Sequence, residues 1–408
     1  MSSVQMTAVQ LSSVKMSYCL FVAQSSPVFL IKADIFHSSA REYTMEEEEE
    51  MSADPLDTSE TSTDSSKSLT SSSRPSMDTI ESSIEIEAST TKSEDCDKKI
   101  VQMTNGGLIG NYKVVRRLGA GGCGVVYQVK ANNKHYAMKV ERLDMDKTDQ
   151  LLGIEAHVLK RLQSSPYTVQ FIQCGTCQSK GLGLRVLIMG LLGPSIDELR
   201  KQEIKGRFKM GTVLRIGFHA LQVKLPLKFI FFPMNFKAVA FVHCSYFVHR
   251  DIKPSNFAIG ENNSRRIYLF DFGLSRALKK RGDMELRTMR EDVSFRGTSG
   301  YCSLNVHNRK EHGRHDDLWS IFYMLAELKT GDLPWMGRSR NKTKILKAKL
   351  MDFEYMHGCP VAFSTILNYL RTLDYHKRPD YIRIEQAIFG MMAAREVNWN
   401  QPLDWEVD

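Results

Sequence analysis

Apolar and polar positions begin to alternate at Tyr112. Tyr112-Lys113-Val114-Val115-Arg116-Arg117-Leu118 reads as a strand, since residues two apart share one face of a pleated sheet. It runs into Gly119-Ala120-Gly121-Gly122-Cys123-Gly124-Val125-Val126, and a second strand is predicted over Val125 to Lys130. His135-Tyr136-Ala137-Met138-Lys139-Val140 alternates as a third. The period then changes. From Thr148 to Leu162 the apolar residues Leu151, Ile154, Val158, Leu159 and Leu162 recur at helical spacing, and Glu155 lies on or beside the buried face. A carboxylate placed there needs a partner, and Lys139 is the natural one. Order is therefore expected from about Tyr112. The stretch from Met45 to about Lys99 is acidic, rich in Ser and Thr, and too poor in large apolar residues to offset chain entropy. Residues 1–111 are accordingly expected to be disordered, either as a solubilising tail or as a phosphorylatable segment that docks on a basic domain.

The candidate chemistry sits further along. His249-Arg250-Asp251-Ile252-Lys253-Pro254-Ser255-Asn256 is followed, twenty positions after Asp251, by Asp271-Phe272-Gly273. Phosphoryl transfer needs a carboxylate to orient a hydroxyl and two side chains to hold a metal ion at about that separation. Lys253 stands where its charge can reach the transferred phosphate. A lone GxGxxG is weak evidence, because dinucleotide-binding folds use the same spacing. There the last glycine opens a helix, whereas here β-branched residues continue a strand. The context favours a hairpin laid over nucleotide phosphates, its glycines allowing close backbone approach. The nucleotide set is then Leu118, Gly119, Ala120, Gly121, Gly122, Cys123, Gly124, Val125 and Val126, with Ala137 and Lys139 on the next strand. Leu118 and Val126 would flank the base.

Composition narrows the setting. At 408 residues, with 42% hydrophobic and 25% charged residues, the chain is ordinary for a soluble globular protein. The apolar stretches Tyr18 to Ala23 and Val28 to Phe36 are short, the second containing Lys32 and Asp34, so no membrane span or secretory leader is expected. Eight scattered cysteines point to reduced thiols, and Cys174-x-x-Cys177 reads as a strand-end pair rather than half a zinc site. The net charge of +8 hides a division. Residues 46–97 hold sixteen Asp/Glu against three Lys/Arg, a net of −13, while residues 98–408 carry a net of +20. Such a basic region favours anionic nucleotides and acidic protein segments. Nucleic-acid binding ranks lower, because the basic residues are dispersed and no aromatic stacking motif accompanies them.

Over residues 112–408 the sequence resembles the casein kinase 1 superfamily, and within it most closely the tau-tubulin kinase branch. The resemblance rests on Leu191-Leu192-Gly193-Pro194-Ser195, on Ser303-Leu304-Asn305 where most kinases have Ala-Pro-Glu, and on Gly313-Arg314-His315-Asp316-Asp317-Leu318-Trp319-Ser320. Leu333-Pro334-Trp335 and Arg378-Pro379-Asp380-Tyr381 add to it. It implies an α+β bilobal protein kinase fold, with a small β-rich lobe near 112–190 and a mainly helical lobe near 191–408. It also implies ATP and Mg²⁺ as cofactors, and serine or threonine of proteins as the acceptor. On matching positions Asp251 orients the substrate hydroxyl, Lys253 steadies the γ-phosphate, Asn256 and Asp271 hold Mg²⁺, and Lys139 with Glu155 anchors the nucleotide. Acidic or cytoskeletal protein substrates, a monomer, and cytoplasmic or also nuclear residence complete the expectation.

Two departures stand out. Gly300 replaces an arginine that relatives use toward phosphate on primed substrates. The helix expected over Thr212 to Gln222 resumes at Ala238 to Val242, and removing Val223 to Lys237 restores the family spacing. Those fifteen residues, VKLPLKFIFFPMNFK, contain two helix-interrupting prolines and as helix would add about 22 Å. Their AT-rich codon types fit a translated intron; a genuine exposed loop is the other reading, and Met45 offers an alternative start. Two rivals to an active protein kinase remain: a pseudokinase that scaffolds partners, opposed by the presence of Lys139, Glu155, Asp251, Asn256 and Asp271, and a kinase of small molecules.

Overall fold

The computed structural model describes residues 103–121, 124–146, 150–179, 181–202, 206–221, 238–280 and 282–407. A six-stranded antiparallel sheet comes first, with strands in the order β1-β2-β3-β4-β6-β5. These are β1 (Leu108–Ile109), β2 (Tyr112–Gly121), β3 (Gly124–Ala131), β4 (Lys134–Arg142), β5 (Phe171–Ser179) and β6 (Leu182–Gly190). Helix α1 (Leu152–Arg161) packs on it between β4 and β5. The alternation read from sequence divides the two faces. Val125, Tyr127, Val129, Met138 and Val140 close one core with Met103 and Ile109. Ala137, Leu187 and Met189 turn the other way, toward α1 and the main core. Order thus starts before Tyr112, because Met103 and Ile109 seal the open side of the sheet and the Met103 amide donates to the Tyr127 hydroxyl at 3.1 Å.

The predicted helix over Thr148 to Leu162 is shorter, and residues 147–149 lie outside the described ones. No local side chain caps it. Instead Glu141, from β4, accepts the Leu151 and Leu152 amides at 2.5 and 3.0 Å, satisfying two of the orphan donors at a helix start. Burial raises the Glu141 carboxyl above its usual range, with those amides and Arg185 opposing it.

After β6 the chain forms β7 (Leu192–Ser195), α2 (Ile196–Gln202) and α3 (Met210–Leu221), then α4 (Ala238–Cys244). The segment 223–237 lies outside the described residues, as does the acidic tail. Nine of the twelve residues of α3 are buried, and Gly217 lets it approach Leu325 so closely that a Cβ would lie 2.8 Å from a methyl carbon. Two short strands follow, β8 (Phe247–Val248) and β9 (Phe257–Gly260), then β10 (Asn263–Leu269) and β11 (Arg276–Ala277). β9 pairs with both β7 and β10, and β8 with β11. The remaining helices are α5 (Leu304–His307), α6 (Arg314–Thr330), α7 (Arg340–Lys349), α8 (Asp352–Tyr355), α9 (Ala362–Leu370) and α10 (Tyr381–Ala393). α6 is the central one, with Leu318, Ile321, Phe322, Met324 and Leu325 buried. The chain end is strapped to α3: Arg215 donates to the carbonyls of Gln401 and Pro402 at 2.7 and 2.8 Å. The fold is the expected α+β one, a strand-rich lobe followed by a helical one. Among the described residues no helix is long and apolar enough to cross a membrane.

Candidate active site

Lys139 lies at the middle of β4, paired with Val126 on one side and Leu187 on the other. Its side chain turns to the α1 face, where Glu155 is 1% exposed. The Lys139 Nζ donates to Glu155 Oε2 at 2.6 Å and to Asp271 Oδ1 at 2.9 Å. One ammonium therefore joins strand, helix and the Asp271-Phe272-Gly273 turn. Burial pushes the Glu155 carboxyl up, against the pull of Lys139, and the charge of Asp271 adds to the rise. Asp271 is half-buried, which opposes its charge, yet Lys139 holds its carboxyl below the usual range. Phe272 is buried against the His249 ring, centroids 5.1 Å apart.

The loop between β8 and β9 brings the second group. Asp251 Oδ1 accepts the Thr298 hydroxyl at 2.7 Å, and Oδ2 faces Lys253 Nζ at 2.6 Å. Lys253 also donates to Thr298 Oγ1 at 3.2 Å. The Asn256 amide donates to the Asp251 carbonyl at 2.8 Å and to its carboxylate at 3.2 Å, which leaves Asn256 Oδ1 as a ligand atom. Arg250 and Asp271 adopt positive φ of 69° and 63°, a conformation that non-glycine residues keep only where surroundings enforce it.

What enforces it was missed in the sequence. Asp317, fully buried in α6, accepts the amides of His249 and Arg250 at 2.7 and 3.0 Å and faces His243 Nε2 at 2.9 Å. Burial works against its charge, but His243 and His312 hold the carboxyl well below the usual range. The signal available was the run Gly313 to Ser320, which carries the family resemblance but by itself gives Asp317 no role. Gly297, at φ 100°, completes the frame: a Cβ there would lie 2.4 Å from the Arg250 carbonyl oxygen.

The glycine hairpin forms as expected, with Gly119, Ala120 and Gly121 of β2 opposite Val126, Val125 and Gly124. Gly122 and Cys123 lie outside the described residues. At Gly124, φ is 111° and a Cβ would meet the Val140 oxygen at 2.3 Å. One expectation needs correcting: Val125 points into the small-lobe core, so its side chain does not line the nucleotide face. Val126 and Ala137 pack on that face with the main core, and Leu118 is exposed at its edge. Cys174 and Cys177 are free thiols on β5.

The protein kinase domain family matches residues 112–387. A relative from Dictyostelium discoideum, named as a serine/threonine-protein kinase, is 37% identical over 309 residues, 74% of this chain and 58% of its own. The chain thus spans little more than half of that relative's length. Another, from Caenorhabditis elegans and named likewise, is 33% identical over 312 residues, 74% of this chain and 84% of its own. With these matches, and with a two-lobed fold that gathers Lys139, Glu155, Asp251, Asn256 and Asp271, the chain belongs to the protein kinase family.

Proposed function

We propose that the protein transfers the γ-phosphate of ATP to serine or threonine hydroxyls of protein substrates. The observation that carries this is the double convergence on one cleft: Lys139 bonded to both Glu155 and Asp271, and Asp251 bonded to Lys253, Thr298 and Asn256. Asp251 is placed to align the acceptor hydroxyl and take its proton as the oxygen–phosphorus bond forms and the bond to the departing ADP breaks. Lys253 balances charge gathering on the moving phosphoryl group. Lys139, fixed by Glu155, holds the nucleotide phosphates under the glycine hairpin.

The residues fit Mg²⁺. Asn256 Oδ1 and the Asp271 carboxylate are hard oxygen donors, and among the described residues no cluster of three His, Cys, Asp or Glu could hold a metal alone. Magnesium shared between one or two protein oxygens and nucleotide phosphates has that donor set. When bound, the ion offsets negative charge on the phosphate oxygens.

Membership of the casein kinase 1 superfamily, near the tau-tubulin branch, is part of this reading. Ser303 and Asn305, in the triplet that carries the resemblance, bond to Asp316 at 2.5 and 3.1 Å. Substrates are proposed to be acidic proteins, by the basic charge of residues 98–408. A preference for pre-phosphorylated substrates should be weakened, since Gly300 supplies no guanidinium and Met336 Sδ sits 2.5 Å from where its Cβ would be. The test is Asp251→Asn in the full chain. Phosphate incorporation into casein should fall by about 10²-fold or more, and unchanged incorporation overturns the proposal in favour of a scaffold.

A further inference from the structure

A cavity of about 530 Å³ is lined by residues other than those of the candidate active site. Its walls come from the end of α4, the turn at Tyr246, Lys279, the segment Met284 to Leu286, the start of α6 and the turn at Arg378. Three cations face it, Lys279, Arg314 and Arg378, against one carboxylate, Glu285. His243 also lines it, but burial pushes that imidazole below its usual pKa despite Asp317, so it adds no charge at neutral pH.

Several basic side chains around these three cations are held in ion pairs. Arg276 and Arg290 pair with Glu311, Arg309 with Asp292, Arg371 with Asp352 and Lys377 with Asp374. Among the described residues, Lys279, Arg314 and Arg378 make no ion pair. Lys279 donates to the Met284 carbonyl and lies over the Tyr246 ring, 4.2 Å from its centroid. Arg378 reaches only the Cys244 sulfur, at 3.6 Å. Arg314 is the telling one. It is 6% exposed, its only hydrogen bond is to the His376 carbonyl at 3.2 Å, and its Nε has no partner. A buried guanidinium without a carboxylate is unfavourable by itself, and an anion entering the cavity would relieve it.

We propose that this cavity is the docking site of the acidic segment 46–97 of the same chain, whose carboxylates pair with Lys279, Arg314 and Arg378. Charge complementarity favours that occupant, sixteen acidic against three basic residues, over any neutral or basic segment. Fifty-three residues separate Glu50 from Met103, and a random coil of that length has a root-mean-square span of about 40 Å. The occupant would be felt at the catalytic loop, since the cavity wall residue His243 shares Asp317 with the His249 and Arg250 amides.

The experiment is zero-length carbodiimide coupling on the dilute full-length protein, which joins carboxylates to lysine amines, followed by peptide mapping. Lys279 should be the lysine most often joined to Asp or Glu of residues 46–97. Arg378→Glu, at an exposed position, should lower that yield roughly fivefold while the melting curve stays put, and high salt should act likewise. Coupling spread evenly over Lys279, Lys342 and Lys344 would overturn the proposal. So would a yield indifferent to Arg378→Glu, or products joined only between two chains. None of these readouts requires catalysis, so failure here leaves the phosphotransfer reading standing.

Discussion

Lys347, on α7, shows how far a single residue can depart from its sequence appearance. In a helix that reads as basic and solvent-facing, its ammonium is buried and donates to the carbonyls of Ser299 and Cys302 at 2.9 and 2.6 Å. It also lies 4.5 Å from the Tyr323 ring centroid and 5.3 Å from that of Trp335. It thereby pins the loop that carries Thr298, the partner of Asp251. Burial lowers its pKa to about 7, while the unfolded chain keeps the ordinary lysine value near ~10.4. Between those values the unfolded state binds more protons than the native one, so stability should rise as pH increases through that window. Below about pH 7 both states are protonated and the contribution is flat. Urea unfolding at several pH values should show this rise in the native protein and lose it in Lys347→Met. A rise of equal size in the variant would assign the effect to other groups.

At the scale of elements, β2, β3 and β4 were legible, whereas the later strands and the helix ends were not. β2, β3 and β4 follow their alternation because period-2 burial is local, and the hairpin follows from β-branched residues after Gly124. The start of α1 depends on Glu141, ten residues upstream of Leu151 and on another element, which no capping pattern in the helix itself could signal. Glu141→Ala should lower stability by roughly 2 kcal/mol, about 4 °C in melting temperature. A loss confined to a few tenths would mean that the helix start is held by something else. The same limit hid Asp317: sequence shows an acidic pair, and only packing reveals that it accepts two catalytic-loop amides. The convergence of Lys139, Glu155 and Asp271 was readable because residue type and spacing select them, whereas the turn of the Val125 side chain into the small-lobe core does not show in a glycine-loop run read as one surface. The interruption between α3 and α4 makes a further prediction. Leu221 and Ala238, which flank it, are both buried, so joining Gln222 directly to Ala238 should give one uninterrupted helix and a higher melting temperature. A lower one would show that residues 223–237 contribute to the fold.

For the whole molecule, the proposed preference for acidic substrates is a matter of charge. Residues 98–408 carry a net of +20 and residues 46–97 a net of −13, so acidic tail and acidic substrate compete for the same field. Long-range attraction of this kind acts on encounter rather than on the chemical step, and it is screened over about 10 Å at 0.1 M salt. Raising KCl from about 0.05 M to about 0.3 M shortens that distance. It should raise the KM for an acidic peptide several-fold, leave kcat close to constant, and barely affect a neutral peptide. If residues 46–97 dock as proposed, the tail adds a second, opposite sign: salt would also free the domain from them, so the neutral peptide should gain slightly in kcat/KM while the acidic one loses. Removing residues 1–100 should abolish that gain and leave the acidic loss intact. If both peptides respond alike, substrate preference arises from local contacts in the cleft and the net charge of the domain plays no part in it.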